Sequence, residues 1–268
     1  QFVGVHFGND VEGRHGGRLF SGHAGPIRLP HGCARNGCAT GGQPVPWGAR
    51  HRPAHVIDSP TIAIVGSAGN YGRWLRGFFE RRMGLRVLGH DPGDPSSDAP
   101  EALLEQGDVL LFATPIRHTA ALVEDYVRLA GGREAGRLWL DITSIKQGPV
   151  AAMLRSRAEV VGLHPMTAPP KAPTLKGRVV VVCEARLSRW RPWLASMLQA
   201  LEGESVHASA ERHDRMMALV QAMVHASHLA QAGVLDAFAP TLGGVAASMP
   251  FRSASFELDA AIAARILS

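Results

Sequence analysis

The sequence predicts an α/β fold, a doubly wound parallel sheet followed by an all-helical C-terminal domain. Three observations predict it. From residue 61 onward, short apolar runs alternate with segments of helical period, the pattern of strands joined by crossover helices. Several of the runs, VVVVC among them, are apolar without a break, as strands buried on both faces are. Finally, residues 213–238 contain no proline and one glycine, which suits a long helix rather than more strand-helix units.

Taken in order, strands are expected at 62–65, 86–89, 109–113, 138–141, 160–163 and 179–183, with a further short run near 205–208. Helices are expected between them at 71–82, 119–129 and 149–155, and after the sixth strand at 191–201. In 213–238 the apolar residues Met216, Met217, Leu219, Val220, Met223 and Val224 predict one long buried helix that opens a second domain. The expected division is 59–206 for the sheet domain and 207–268 for a helical one.

Residues 1–58 are different material. They hold 12 of the 30 glycines and 6 of the 13 histidines, with neither strand nor helix periodicity. Such a stretch buries too little apolar surface to offset its ordering entropy, so a disordered or non-native leader is expected. His31, Cys33 and Cys38 lie close together in it. A structural zinc site needs four ligands at compact spacing, and no second pair follows, so no metal is expected.

Composition narrows the function. The chain has 268 residues, 46% of them apolar, enough for one large or two small cores. The net charge of +5 is uneven: 1–58 carries six Arg against three acids, leaving 22 bases and 20 acids in the rest. A nearly neutral body without a basic, aromatic-interleaved stripe argues against nucleic acid. No apolar run reaches the roughly 20 residues of a membrane span, and the N-terminus lacks signal-peptide layout. A soluble, cytoplasmic protein with a small-molecule partner is expected.

The chemistry begins at residues 61–75, TIAIVGSAGNYGRWL. A strand enters a glycine turn and leaves into a helix, as in a dinucleotide loop, where glycines allow a tight turn and close approach of the pyrophosphate to the helix N-terminus. The spacing departs from G-x-G-x-x-G: Gly69 and Gly72 fill the last two slots, and the tight turn falls to Gly66 and Ser67 together. Asn70 and Tyr71 complete the loop. A glycine loop alone is weak, but LRVLGHD ends a strand at Asp91, 19 residues past Gly72, where an acid would accept the ribose hydroxyls. No Arg follows Asp91 immediately, which favours NAD over NADP. Loop and acid together predict a Rossmann-like nucleotide domain, with Thr114 and Pro115 at the end of the third strand facing the nicotinamide side.

Two more strand ends carry polar residues. WLDITSIK supplies Ser144 and Lys146, and VVGLHPM supplies His164. Ligands of open α/β sheets bind at the carboxyl ends of strands, so both stretches are candidates for the chemical site. Singly, His164 could be a core histidine and Ser144 a helix cap.

The stretches LDITSIKQGPVAAML, GLHPMTAPP, VVVVCEAR and ERHDRMMALVQAMVH, in this order behind IVGSAGNYG, resemble prephenate dehydrogenase. The similarity runs from about residue 61 to the end, and is greatest to the bacterial form often fused to chorismate mutase, without the mutase part. The resemblance implies oxidative decarboxylation of prephenate to 4-hydroxyphenylpyruvate with NAD, within tyrosine biosynthesis. It further implies His164 as the catalytic histidine, with Ser144 hydrogen-bonding the same region. Arg265 is implied as the grip on the substrate side chain, and His225 as a histidine near the substrate or a buried structural one. Glu257 stands where the fused form has a second arginine, and Arg252, five residues earlier, is the candidate to replace it. The resemblance likewise implies that 207–268 is an incomplete part of the helical domain, and that a homodimer is built through the C-terminal helices. Arogenate as substrate, or a non-catalytic NAD-binding relative, remain the alternatives; a hydroxyacid dehydrogenase would want a lysine in the long helix, and residues 215–238 have none.

Overall fold

The structure is a computed structural model that describes residues 59–267. The expectations for residues 1–58, including His31, Cys33 and Cys38, lie outside the described residues.

Seven strands form one sheet: β1 (Ile62–Val65), β2 (Val87–His90), β3 (Val109–Phe112), β4 (Leu138–Asp141), β5 (Glu159–Pro165), β6 (Val179–Arg186) and β7 (Glu204–His207). Their order is β2-β1-β3-β4-β5-β6-β7. The first five run parallel. Because β2 and β3 flank β1, the winding reverses between β1 and β3, and the carboxyl ends of those strands border the crevice where such sheets bind ligands.

Helices α1 (Asn70–Arg81), α2 (Pro100–Gln106), α3 (Ile116–Ala130), α4 (Gln147–Met153) and α5 (Arg191–Leu201) cover the sheet. Successive strand residues point to opposite faces. Ile62, Ile64, Val109, Leu111, Leu138 and Leu140 join one core with Leu75, Phe78 and Phe79 of α1 and Trp193, Leu194 and Met197 of α5. Ala63, Val65, Leu110, Phe112, Trp139 and Val160 join a second with Leu103 of α2, Val123 of α3 and Met153 of α4. Both faces are therefore dry, which is why these strands read as apolar runs. Each large apolar side chain so buried contributes about 1.5–3 kcal/mol.

Three features differ from the sequence expectations. The run VVVVC lies in β6, which is antiparallel to β5; only β7 runs parallel to β6. The connection 166–178 holds three prolines and contains no helix, so it cannot make the helical crossover that a parallel partner needs. Continuous apolarity reports burial on two faces, not strand direction. Secondly, α2 was not expected: seven residues are too few to show a period, and Pro100 at its start was its one sequence sign.

Thirdly, the helical region is mostly open rather than buried. Helix α6 (Ala210–Met217) passes through a π-helical turn at Ala218–Met223 into α7 (Val224–Leu242), followed by α8 (Gly244–Ser248) and α9 (Ala254–Leu267). Within α6, the π turn and α7, only His213 and His228 are buried. Leu219, Met223, Val234 and Phe238 are each more than half exposed, because α7 packs chiefly on α8 and α9. The π turn also breaks the 3.6 period, so the apolar positions do not stay on one stripe. No single described helix is long and apolar enough to cross a membrane.

Candidate active site

The nucleotide loop is set by the backbone. Gly66 has φ 86°, a left-handed conformation that other residues adopt only with strain. A Cβ there would also sit 2.6 Å from the Ala113 carbonyl oxygen. Ser67 has no positive φ, so the left-handed step belongs to Gly66, and Ser67 shares the tight turn that the Gly69 N–H closes on the Gly66 carbonyl at 3.2 Å. Ser67 is buried, with its Cβ close to Gly89 of β2. Gly72 is under the tightest restriction: a Cβ would lie 2.1 Å from the Gly66 carbonyl oxygen and 2.7 Å from the Ser67 Cα. Helix α1 can therefore meet the loop only with hydrogen at that position. Gly69 is less restricted, with 3.3 Å to the same oxygen.

Helix α1 starts with no side-chain cap and no acid in its first turn. Its leading N–H groups and positive dipole end are thus available to an anion. Asp91, just after β2, accepts hydrogen bonds from the N–H groups of Ala68 (3.1 Å) and Gly93 (2.9 Å). The first ties the acid to the glycine loop, and each carboxylate oxygen keeps a second lone pair for a ligand hydroxyl. Asn70 is engaged locally, its Oδ1 accepting from Arg73 at 2.8 Å. The uncapped helix, the glycine contact and the placed acid fit the pyrophosphate and ribose of a dinucleotide.

A cavity of about 630 Å³ opens beside this loop, a size suited to a small molecule. Tyr71, Thr114, Ser144, His164, His225 and Arg265 all line it. The elements bring these together from six places: the start of α1, the ends of β3, β4 and β5, and the helices α7 and α9. Pro115 caps α3 next to Thr114 without lining the cavity. Tyr71 donates to the Thr167 carbonyl at 2.5 Å, and Trp74 donates to that of Ala172 at 2.9 Å. Those two bonds fasten the 166–178 connection over the mouth of the sheet.

Arg252 is not in the cavity. Its Nε donates to Glu257 at 3.1 Å and its Nη1 to the Met249 carbonyl at 3.0 Å. The very acid it was expected to compensate for neutralises it, five residues on. His225 is exposed on the cavity side, whereas the buried histidine is His228, whose Nδ1–H donates to the Val224 carbonyl at 2.8 Å. Lys146 also turns away from the cavity: wholly buried, it binds the buried Asp141 carboxylate and donates to the Leu163 carbonyl at 2.7 Å. Burial pushes Asp141 up to about 6 and Lys146 down, each held back by the other's charge. The pair braces the β4–α4 turn that carries Ser144.

His164 is 4% exposed. Its Nδ1 lies 2.8 Å from Nε2 of His213, and its Nε2 lies 3.5 Å from the Gln221 amide nitrogen. His213 Nδ1 is in turn 2.7 Å from Asp214, and Asp214 accepts from the N–H groups of Lys146 (2.7 Å) and Gln147 (2.9 Å). Burial first, then the nearby His213 and Lys146, push the His164 imidazole from 6.5 down to about 3, with Asp214 opposing. His164 is thus a neutral base at pH 7.

The sign of this shift has a consequence for stability. A depressed native pKa means that the unfolded chain binds this proton more readily between about 3 and 6.5, so the stability present above 6.5 is lost as pH falls through that window. Measured by urea unfolding, wild type should lose about 2 kcal/mol more than His164→Asn between pH 7 and pH 5. The comparison cancels the opposite contribution of Asp141, whose raised pKa stabilises the fold as pH falls toward the ordinary carboxylate range.

His213, Asp214 and Gln221 belong to this arrangement and were given no role from sequence. The adjacent His-Asp pair in ERHDRMMALVQAMVH was the available signal, but nothing in linear spacing says that it meets a strand end 49 residues earlier.

The site can be set against known proteins. Residues 93–209 match the family described as prephenate dehydrogenase, nucleotide-binding domain. The chain is 30% identical over 211 residues to a 4-amino-4-deoxyprephenate dehydrogenase of Streptomyces pristinaespiralis, covering 70% of this chain and 67% of that protein. It is 26% identical over 224 residues to a probable arogenate/prephenate dehydrogenase of Methanocaldococcus jannaschii, covering 77% of this chain and 49% of that one. The chain spans between 42% and 49% of the length of three curated relatives of this kind. Among solved structures, the prephenate dehydrogenase of A. aeolicus with hydroxyphenyl propionate and NAD+ has the same fold, at TM-score 0.56 and 18% identity over 66% of this chain and 69% of that one. A nucleotide loop at the switch point, a neutral histidine at the end of β5 and these similarities lead to one statement: this chain belongs to the prephenate dehydrogenase family.

Proposed function

We propose that the protein oxidises prephenate with NAD, releasing CO₂ and forming 4-hydroxyphenylpyruvate. The observation that carries this reading is the cavity itself, in which a neutral His164, Ser144 and the Arg265 guanidinium line one wall system beside the nucleotide loop. Residues 59–206 would hold the cofactor, and 207–268 would complete the substrate side.

Gly66, Ser67, Gly69, Asn70 and Gly72 would receive the pyrophosphate of NAD, Asp91 the adenosine ribose, and Tyr71, Thr114 and Pro115 the nicotinamide end. When bound, NAD accepts the hydride from ring carbon C4. His164 takes the proton of the C4 hydroxyl through the ring nitrogen that faces the cavity, as a positioned base does. Ser144, on the neighbouring turn, can share that hydrogen bond. Loss of CO₂ from C1 leaves its bonding pair in the ring, which becomes aromatic, and the proton held by His164 returns to the phenolic oxygen. Arg265 would grip a carboxylate of the substrate through its planar fork, with His225 beside it.

Arogenate differs from prephenate by an ammonium in the side chain. No carboxylate lines the cavity among the described residues, so an ammonium would lose hydration without an anionic partner. That favours the keto acid. Absorbance at 340 nm with NAD⁺ and each of prephenate, arogenate and 4-amino-4-deoxyprephenate tests the reading. Prephenate should give the highest kcat/KM; absence of both NADH and 4-hydroxyphenylpyruvate would sink the proposal.

The two arginines should separate in the same assay. Removing a charge-assisted grip on a carboxylate costs about 1.5–3 kcal/mol, so Arg265→Ala should raise KM for prephenate roughly 10- to 100-fold. Arg252→Ala should leave KM within about twofold, because its charge is spent on exposed Glu257. A homodimer is part of the proposal too, supported by exposed Leu219, Val234, Phe238 and Leu242, and light scattering coupled to size exclusion would test it.

A further inference from the structure

We infer that His213 and Asp214 are positioning residues that fix the tautomer of His164, leaving its Nε2 lone pair toward the cavity. The inference rests on the reading of His164 as the base and adds how that base is set.

The assignment follows from donors and acceptors taken in order. Asp214 accepts hydrogen bonds from two backbone N–H groups, those of Lys146 and Gln147. Burial works against its charge, but these bonds and that from His213 hold its carboxyl below the ordinary range. An ionised carboxylate only accepts, so the His213 nitrogen 2.7 Å away, Nδ1, must carry a hydrogen. A neutral imidazole with Nδ1–H has its lone pair on Nε2. That lone pair meets His164 Nδ1 at 2.8 Å, so His164 must donate from Nδ1 and keep Nε2 bare. Gln221, on the π turn, reaches the same Nε2 with its amide nitrogen at 3.5 Å and, as a donor, agrees with an acceptor there. The opposite tautomer of His164 would set two lone pairs against each other at His213 and two N–H groups against each other at Gln221.

Other charged and titratable groups around His164 do not change the order. Lys146 and Asp141 satisfy each other behind it, Cys183 on β6 is buried with its thiol pushed up to about 11, and His225 and Arg265 face it only across the cavity. Asp214 has a second consequence: its bonds to the N–H groups of Lys146 and Gln147 sit at the start of α4. One carboxylate of α6 thereby sets both the histidine and the turn that carries Ser144.

The test uses the whole protein labelled with ¹⁵N-histidine. In wild type, long-range ¹H–¹⁵N spectra should show His164 as the Nδ1–H tautomer, identified by the signals lost in His164→Asn. In Asp214→Asn the amide can donate to His213, and His164 should move toward Nε2–H. Turnover of prephenate should fall by about 10²–10⁴-fold with KM and the NAD Kd within about threefold, as expected when a base is held in the wrong tautomer. Asp214→Glu should recover part of the turnover. The inference is overturned if wild-type His164 carries its hydrogen on Nε2, or if Asp214→Asn keeps the wild-type tautomer and turnover. Since the tautomer is read without substrate, a protein that shows Nδ1–H but does not turn over prephenate would refute the proposed function and leave this inference standing.

Discussion

Replacing His164 with Asn should lower turnover of prephenate by about 10²–10⁴-fold, the range that a positioned general base supplies, while NAD affinity stays within a few-fold. The separation follows from where the residue sits. His164 lies at the end of β5 and touches the cavity, whereas the loop that would hold the pyrophosphate follows β1, with β3 and β4 between them in the sheet. Asparagine keeps a polar group of similar reach, so the bond to His213 can be replaced in part, but an amide cannot take up a proton near neutral pH. Stopped-flow single turnovers would separate the chemical step from product release. An unchanged hydride-transfer rate in this variant would remove His164 from the mechanism.

Gly72→Ala is the expected disabling change on the cofactor side. Its methyl group would need to occupy a point 2.1 Å from the Gly66 carbonyl oxygen and 2.7 Å from the Ser67 Cα, and both are backbone atoms that cannot rotate away. Either α1 shifts off the sheet, disturbing the core around Leu75, Phe78 and Phe79, or the loop opens. Overpacking of this kind costs about 1–3 kcal/mol or more, and it displaces the N–H groups that would hold the pyrophosphate. The expected result is a lower urea midpoint together with an NAD Kd raised at least about tenfold, read by calorimetry. Ser67→Gly is the control: Ser67 has ordinary φ, so its replacement should not tighten NAD binding. Tighter binding would show that the serine side chain strains the turn.

Some of this was legible in the residues. The strands at 62–65 and 138–141 and the helix at 191–201 have the bounds expected of them, since each is a short apolar or amphipathic run ended by a clear break. The glycine loop and Asp91 were legible because a tight turn and a strand-end acid each need particular residue types at a set distance. Ser144 and His164 stand out as polar strand ends and His225 and Arg265 by resemblance, and all four line one cavity. Arg252 was not placed correctly, because proximity in sequence to Glu257 suggested replacement whereas proximity in space produced an ion pair.

By itself, the sequence determined the α/β plan, the winding through β5, the nucleotide loop and the polar strand ends, because apolar period, turn chemistry and residue type are all local properties. Tertiary structure decided the rest. The reversal of β6, the open face of α7 and the meeting of His213 and Asp214 with His164 depend on contacts between residues far apart in the chain. Burial is likewise set by what packs above a side chain, and burial is what makes His164 a neutral base and turns Lys146 inward to Asp141.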